Sequence, residues 1–262
     1  MNKYKKEYHD TPFKLYLAIA IILAIYFSIY LSEAISMQKN MYDFMIYTTD
    51  ILTVSYVIVP LFLIILVSSL STNSLNNLFL LRYQKKSSYY NTTLKSIFFV
   101  VTKFLFLLIG TIAALSLFFL SFQNEWSVFA KKYFKNYPLF LDYYSPLLYL
   151  INSLILLWLF LLFLGFLYFI LLLLTKNTAF SLIGTIVVIV ANIAVTISHL
   201  ELVSRFFFTK HLDLVQYMYV HKMAYLLFPF ELYLYWIILL LILYILGYKL
   251  IHKLDLDLKK GA

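Results

Sequence analysis

The sequence predicts an all-α integral membrane protein with six transmembrane helices. Hydrophobic residues make up 63% of its 262 residues and charged residues only 13%, whereas soluble domains carry about 25% charged residues. The 24 tyrosines and 25 phenylalanines include many rings suited to the level of the lipid headgroups. Every segment between the apolar runs is shorter than a folded soluble domain, which needs about 50 residues. Residues 1–262 are therefore predicted to form a single transmembrane domain.

Six apolar runs are long enough for a helix to cross the hydrocarbon layer, which takes about 20 residues. In order they are Leu15–Leu31, Ile51–Leu70, Ile97–Leu120, Leu147–Leu174, Ala179–His199 and Leu232–Ile251. Only Thr175–Thr178 separates the fourth run from the fifth, which predicts a tight helical hairpin. An even number of spans places both termini on the same side of the membrane.

The basic residues are distributed unequally between the two sides. The termini and the loops after even-numbered spans hold 14 of the 21 lysines and arginines and a net charge of +10, whereas the other loops sum to −1. Positively charged loops stay in the cytoplasm, so both termini are predicted to be cytoplasmic in a multi-pass protein of the cell membrane. The basic excess faces anionic lipid and cytoplasmic partners and requires no nucleic acid.

Three segments outside the spans are predicted to lie on membrane surfaces. The N-terminal segment MNKYKKEYHDTPFKLYL is predicted to be amphipathic, with a disordered basic tail as the alternative. The external loops Ser121–Pro146 and Leu200–Glu231 are rich in aromatic residues, which favours interfacial helices. In the first loop, the segment Trp126–Tyr144 repeats aromatic residues every three or four positions, with lysines between them.

The cytoplasmic loop Ser71–Ser96 contains the most specific pattern in the chain. Leu75, Leu78, Phe79 and Arg82 recur at helical spacing, which predicts a short amphipathic helix with a cationic end. One interpretation is an ordinary basic loop whose cations reach the lipid headgroups. The other is a helix that docks its apolar side chains in a groove of another protein.

Two stretches carry a resemblance to a known family: LFLLRYQKKSSYYNTTLKSIFFVVTKF (Leu78–Phe104) and YILGYKLIHKLDLDLKK (Tyr244–Lys260). With the six spans and the cytoplasmic termini, they resemble the permease subunits of the type-2 superfamily of ATP-binding-cassette (ABC) transporters, of the small bacterial kind that serves antimicrobial-peptide export or immunity. The resemblance implies an amphipathic N-terminal connecting helix and a cytoplasmic coupling helix between spans 2 and 3, which docks on a separate ATPase through Leu75, Leu78, Phe79 and Arg82. It also implies a second permease subunit, in a homo- or heterodimer, and places ATP and Mg²⁺ on the ATPase.

The sequence contains no G-x-x-x-x-G-K, H-E-x-x-H or G-x-S-x-G motif. We therefore expect a permease with no enzymatic activity and no bound cofactor of its own. The polar residues Asn152, Trp158 and Asn192 lie within spans, where interhelical hydrogen bonding is the main interpretation and a substrate path the alternative.

A metal site can be considered at the histidines and acids of the third external loop and its border. They are His199, Glu201, His211, Asp213 and His221. The two members of a His-x-acid pair point about 200° apart on a helix, so no metal site is predicted.

An apolar interior with few charges suits an amphipathic peptide or a lipid-like molecule better than an ion, which needs polar groups along its path. The predicted function is therefore transport of such a molecule, driven by the partner ATPase. The alternative is a non-transporting membrane scaffold or sensor subunit of a larger complex.

Overall fold

A computed structural model describes residues 13–48, 50–71, 86–133, 141, 144–197, 207–212, 214, 217 and 229–253. These residues form helices and connecting turns, and no strand occurs among them. Six of the helices are long and apolar enough to cross a membrane, as predicted. We call them spans 1 to 6, and they are Phe13–Ser36, Ile51–Leu70, Lys86–Ser116, Pro146–Thr175, Thr178–Val195 and Phe230–Lys253. The fifth helix continues to Ile197. The chain thus has the architecture of a multi-pass membrane protein.

Spans 4 and 5 are joined by the tight hairpin that the sequence predicts. Span 4 ends at Thr175, and Lys176 turns the chain with a left-handed backbone (φ 53°). Asn177 then caps span 5, because its Oδ1 accepts a hydrogen bond from the backbone N–H of Ala179 at 2.8 Å. We call this end of the bundle the hairpin end and the opposite end the far end.

Span 4 lies at the centre of the bundle. Its Gly165 lies so close to span 3 that a methyl group added there would be 2.5 Å from Cγ2 of Ile97. Its Phe160 packs against Trp236 of span 6 with the ring centroids 5.6 Å apart, and the hairpin brings span 5 against it. Most of its side chains are accordingly buried, unlike those of a helix that faces lipid on one side.

Span 3 begins at Lys86 rather than at the predicted Ile97 and ends at Ser116 rather than at Leu120. The prediction that a loop continues to Ser96 is therefore wrong for residues 86–96. This stretch, KSSYYNTTLKS, has the polar composition of a loop, but it buries one face against the bundle. The buried residues of that face are Tyr89, Tyr90, Thr93 and Leu94.

Span 2 contains a wider turn close to its far end. The α-helix Ile51–Thr53 is followed by a π-helical turn, Val54–Ile58, and then by the α-helix Val59–Ser71. Pro60 lies just after the wider turn, and a proline has no N–H to donate and crowds the carbonyl four residues before it. Such a π-turn relieves that crowding while it keeps the backbone hydrogen-bonded.

Two short helices lie between the spans at the far end. Met41–Thr48 follows span 1, and Val128–Tyr133 precedes span 4. The backbone N–H of Met41 donates to the carbonyl oxygen of Ser121 at 3.0 Å, so the two connecting segments contact each other. Of the interfacial segment predicted over residues 126–144, residues 134–140, 142 and 143 lie outside the described part of the chain.

Candidate functional site

The predicted docking residues Leu75, Leu78, Phe79 and Arg82 lie in residues 72–85, outside the described part of the chain. Most of the predicted N-terminal amphipathic segment, residues 1–12, lies outside it too. Residue 85 is bonded directly to Lys86, the first residue of span 3. The start of span 3 is therefore the part of the described bundle to which the predicted docking segment is attached.

The ring of Tyr90 joins this start of span 3 to spans 4 and 6. Tyr90 is 1% exposed, and its hydroxyl donates a hydrogen bond to the backbone carbonyl of Tyr244 in span 6 at 2.8 Å. The ring stacks on Phe169 of span 4, with a centroid distance of 5.9 Å and an interplanar angle of 26°. Three spans thus meet at one side chain.

A glycine in span 6 makes room for this ring. A methyl group at Gly247 would lie 2.6 Å from the Tyr90 hydroxyl oxygen and 3.0 and 3.2 Å from two ring carbons. Only a residue without a Cβ therefore lets span 6 approach the ring this closely. We call Tyr90, Phe169, Tyr244 and Gly247 the Tyr90 joint.

Further contacts extend the Tyr90 joint to the end of span 6. Tyr244 and Tyr248 stack with an interplanar angle of 20°, and the ring of His252 lies 4.4 Å from that of Tyr248. The Lys86 ammonium donates to the carbonyl oxygen of His252 at 3.4 Å. The start of span 3 and the end of span 6 are therefore held side by side.

Asn152, a predicted substrate-path residue, bonds span 4 to span 6. Its Nδ2 donates to the carbonyl oxygen of Leu148 at 2.7 Å, and its Oδ1 accepts a hydrogen bond from the Tyr233 hydroxyl. The Asn152 side chain is 8% exposed. Both polar atoms of the amide thus have partners within the protein, which is the interhelical arrangement expected of an asparagine in a span.

The other two predicted path residues lie elsewhere in the bundle. Trp158 faces span 3, where its Nε1 donates to Oγ1 of Thr102 at 3.2 Å and its ring packs edge-on against Phe98. Asn192 is buried in span 5 at 2% exposure. Asn152 and Trp158 therefore contact different neighbours of span 4, and a joint role on a substrate path stays a prediction.

A buried polar cluster at the far end was not predicted from the sequence. The Asn40 side chain donates to the carbonyl oxygens of Gln123 at 3.1 Å and Glu125 at 2.6 Å. Its Oδ1 accepts a hydrogen bond from the backbone N–H of Asp43 at 2.9 Å. These bonds hold the segment after span 1 against the segment after span 3.

Two charged side chains are buried in the same far-end cluster. The Lys39 ammonium lies 3.8 Å from a Glu33 carboxylate oxygen and 4.3 Å from the centre of the Phe129 ring. Burial lowers the pKa of Lys39, although the charges of Glu33 and Asp43 oppose the shift. Burial raises the pKa of Asp43, against hydrogen bonds from Ser127 and Asn40 and the charge of Lys39.

Trp126, the first residue of the predicted interfacial segment, packs into the protein. Its side chain is 8% exposed, and its Nε1 donates to the carbonyl oxygen of Tyr144 at 2.7 Å. The ring also packs edge-on against Tyr149 of span 4. The short helix that follows exposes Lys131 and Lys132, as an amphipathic surface helix does.

His211 is the described member of the histidine and acid group considered above. Its ring stacks on Tyr235 of span 6 at 3.7 Å, and its carbonyl oxygen accepts a hydrogen bond from Nε1 of Trp236 at 3.0 Å. The residues 199, 201, 213 and 221 lie outside the described chain. Among the described residues, no group of three His, Cys, Asp or Glu side chains could hold a metal ion.

Among known proteins, the chain is similar to the uncharacterized protein BH0177 of Halalkalibacterium halodurans. The two are 33% identical over 248 residues, which cover 95% of this chain and 91% of that protein. The chain belongs to the BH0177 family. No protein-family model matches the chain, and no solved structure matches it. Because the name of BH0177 carries no activity, the function of this chain has to be argued from its own residues.

Proposed function

We propose that this chain is the permease subunit of an ABC transporter of the small bacterial kind that serves antimicrobial-peptide export or immunity. A separate cytoplasmic ATPase binds ATP and Mg²⁺ and docks on Leu75, Leu78, Phe79 and Arg82. A second permease subunit, identical or different, completes the transporter in the cell membrane. The substrate is an amphipathic peptide or a lipid-like molecule.

The Tyr90 joint is the observation that supports this proposal best. A permease driven by a separate ATPase needs a connection from the docking segment to the spans that move. Residues 72–85 lead directly into Lys86, and within two turns Tyr90 contacts both span 4 and span 6. A helix transmits displacement along its axis because its hydrogen bonds are all within the helix, so a push on the docking segment would reach three spans.

The nature of the spans supports the class of substrate. Across the described spans the charged side chains lie mostly near the two ends, as in Glu33, Lys86 and Lys253. Lys103 is an exception near the middle of span 3, and its side chain is exposed rather than buried in the bundle. A charge in the middle of a membrane marks an ion or proton path. An interior that is largely apolar favours cargo that carries its own apolar surface.

Energy would enter through differential binding, since a ligand shifts a conformational equilibrium only by its unequal affinity for the two states. Closure of the ATPase on ATP would stabilise one arrangement of the docking segment and the spans attached to it. Hydrolysis would release that arrangement and let the spans return.

The proposal is tested by removing the apolar docking side chains. The Leu78→Ser/Phe79→Ser variant should lose the ATPase on co-purification, because burial of each such side chain in a groove contributes about 1.5–3 kcal/mol. Loss of both corresponds to a decrease in affinity of at least a hundredfold, since 1.4 kcal/mol is a factor of ten. Insertion into the membrane and the yield of the permease should stay at the wild-type level.

Lys85→Ala is the matched control, because lipid headgroups can bind this cation without the partner. It should retain the ATPase at close to wild-type yield. If the lysine variant loses the ATPase while the Leu78→Ser/Phe79→Ser variant retains it, docking is electrostatic and the assignment of the docking face is wrong. If no ATPase co-purifies with the wild-type chain, the transporter proposal itself fails.

A scaffold or sensor subunit is the second candidate. It is favoured by the hydrogen bonds that occupy the polar atoms of Asn152 and the indole N–H of Trp158, because these groups then serve the packing of the spans. Co-purification distinguishes the two functions. A transporter brings down an ATPase with a nucleotide-binding site, whereas a scaffold brings down a partner without one.

A further inference from the structure

We infer that Tyr90 is a positioning residue, which fixes the start of span 3 to span 6 so that the two move as one body. The inference deepens the proposed function and rests on it for the source of the movement, an ATPase at residues 72–85. The joint itself depends only on contacts between described residues.

Three contacts of different kinds fix the Tyr90 ring. Phe169 of span 4 covers one face of it, and Tyr244 packs against it at a centroid distance of 5.5 Å. The hydroxyl is held by the Tyr244 carbonyl oxygen at 2.8 Å. Stacking limits the tilt of the ring, and the hydrogen bond limits its movement along span 6, so the contacts restrain the ring in two different ways.

The hydrogen bond is shielded within the protein. Its acceptor is a helical backbone carbonyl, and its donor is buried with the ring at 1% exposure. A buried tyrosine hydroxyl that loses its acceptor without gaining another leaves an unsatisfied donor, which is costly. Separation of span 3 from span 6 at this level would therefore expose an unsatisfied donor.

Gly247 allows span 6 to lie close to the Tyr90 ring of span 3, and a larger residue at this position would not. The added methyl of an alanine would lie 2.6 Å from the Tyr90 hydroxyl oxygen. The ring has little freedom to yield, because Phe169 covers its face and Tyr244 holds its hydroxyl. Gly247→Ala is thus expected to push span 6 away from span 3 without any change in charge or polarity.

The chain offers a matched control and a partial rescue. Gly110 of span 3 has no heavy atom within 4 Å of the position of an added Cβ, so Gly110→Ala makes the same chemical change without a collision. Tyr90→Phe removes the oxygen at 2.6 Å but leaves ring carbons at 3.0 and 3.2 Å. Tyr90→Phe should therefore partly rescue Gly247→Ala.

The first measurement is a distance between two spin labels by dipolar electron paramagnetic resonance, with the full chain in lipid nanodiscs. The chain has no cysteine, so labels attach only at Ser88→Cys and Lys249→Cys, two exposed positions flanking the joint. The wild-type background should give one narrow distance distribution. Gly247→Ala should broaden it or shift it to longer distance, Gly110→Ala should leave it unchanged, and Tyr90→Phe/Gly247→Ala should narrow it again.

The second measurement compares docking with coupling in the complex of permease and ATPase. Gly247→Ala should keep the ATPase at wild-type yield on co-purification, because the docking residues are unchanged. Its stimulation of ATP hydrolysis by an amphipathic cationic test peptide should fall about tenfold, within the range typical of coupling between sites. A purely structural defect would instead lower the yield of the permease, the docking of the ATPase and the stimulation of hydrolysis together.

The inferred role of Tyr90 is wrong if Gly247→Ala and Gly110→Ala give the same distance distribution. It is also wrong if adding Tyr90→Phe leaves the distribution of Gly247→Ala unchanged. If Gly247→Ala fails to fold, Tyr90→Leu in the labelled chain takes its place, because leucine can form neither the ring stack nor the hydrogen bond. A distance distribution that Tyr90→Leu leaves unchanged would overturn the inference. The absence of a co-purifying ATPase from the wild-type chain disproves the proposed function alone, because the labelled distances still decide the joint.

Discussion

Asp43 is a buried carboxyl whose ionisation should make the stability of this protein depend on pH. It is 6% exposed, and one carboxylate oxygen accepts a hydrogen bond from the backbone N–H of Asn40 at 3.3 Å. Ser127 donates to it as well, and the charge of Lys39 favours its ionised form. Burial outweighs these effects and raises the pKa of Asp43 above that of an ordinary carboxyl.

The sign of the resulting pH dependence follows from linkage. A group whose pKa is higher in the folded state contributes stability below its unfolded pKa, and this stability is lost as the pH rises through the folded pKa. We therefore expect Asp43→Asn to gain stability relative to the wild type as the pH rises from about 4, the ordinary carboxyl pKa, towards neutrality. Melting temperatures in detergent across this range measure the difference between the two proteins.

Glu125→Gln is the control for Asp43→Asn, because it removes a carboxylate from an exposed residue of the same far end. Its melting temperature should follow that of the wild type at every pH. A difference between Asp43→Asn and wild type that stays constant, or that decreases with rising pH, would contradict a carboxyl destabilised by burial.

Single residues were the hardest part of the site to predict from the sequence. Asn152, Trp158 and Asn192 are conspicuous because polar groups are rare in spans. Tyr90 is one of 24 tyrosines, and its partner Tyr244 is far away along the chain. The residues next to Tyr90 and Tyr244 in the sequence do not distinguish them from the other tyrosines. The role of Gly247 likewise depends on a ring that approaches it from another span. Only the packing of the helices brings these residues together.

At the scale of helices, the contact between spans 3 and 4 offers a direct test of packing. A methyl group at Gly165 would lie 2.5 Å from Cγ2 of Ile97, a fully buried side chain. Overpacking of this kind typically costs about 1–3 kcal/mol, so Gly165→Ala should lower the melting temperature. At Gly110 an added Cβ has no heavy atom within 4 Å. Gly110→Ala should therefore leave the melting temperature unchanged or raise it slightly, since glycine in a helix costs about 0.5–1 kcal/mol relative to alanine.

A second substitution tests whether the collision is with Cγ2 of Ile97. Leucine has no methyl group at that branch and nearly the same volume, so Ile97→Leu should restore part of the stability lost in Gly165→Ala. If the double variant is no more stable than Gly165→Ala, the two helices adjust elsewhere and this contact does not limit their approach.

The helices themselves were largely predictable, and the exception has a physical reason. Runs of about 20 apolar residues are unmistakable, and five of the six spans begin and end within a few residues of the prediction. Span 3 starts earlier because its first turns are polar in composition but are anchored by the buried rings of Tyr89 and Tyr90. The short helix Met41–Thr48 is too brief for a periodic pattern to reveal it, whereas Val128–Tyr133 lies within the segment 126–144, whose aromatic spacing predicts an interfacial helix.

For the whole molecule, the arrangement of the spans was beyond the sequence. A helix that is apolar on all sides gives no indication of which face contacts a neighbour, and span 4, PLLYLINSLILLWLFLLFLGFLYFILLLLT, is of this kind. Its central position emerges only from the contacts that its neighbours make with it. The distribution of Lys and Arg among the loops, by contrast, can be read from the sequence, and it predicts the orientation of the whole bundle in the membrane.

The final prediction is that the hairpin end faces the cytoplasm. Lysines are concentrated at and near this end, as in Lys86, Lys176 and Lys253, whereas the acids Glu33, Asp43 and Glu125 lie at the far end. Positive residues are retained in the cytoplasm. In intact cells an impermeant maleimide should therefore label Lys132→Cys and spare Ser88→Cys until the membrane is permeabilised; both positions are exposed, and no native cysteine competes.

The reverse labelling pattern would invert the orientation and would also remove the proposed function. Ser88 lies only a few residues after the segment 72–85, so a Ser88→Cys variant labelled from outside would place that segment outside the cell, where no ATPase supplied with cytoplasmic ATP could dock. The contacts of the Tyr90 joint would remain, because they do not depend on the direction in which the bundle crosses the membrane. The labelling therefore decides the orientation of the bundle before any partner has to be identified.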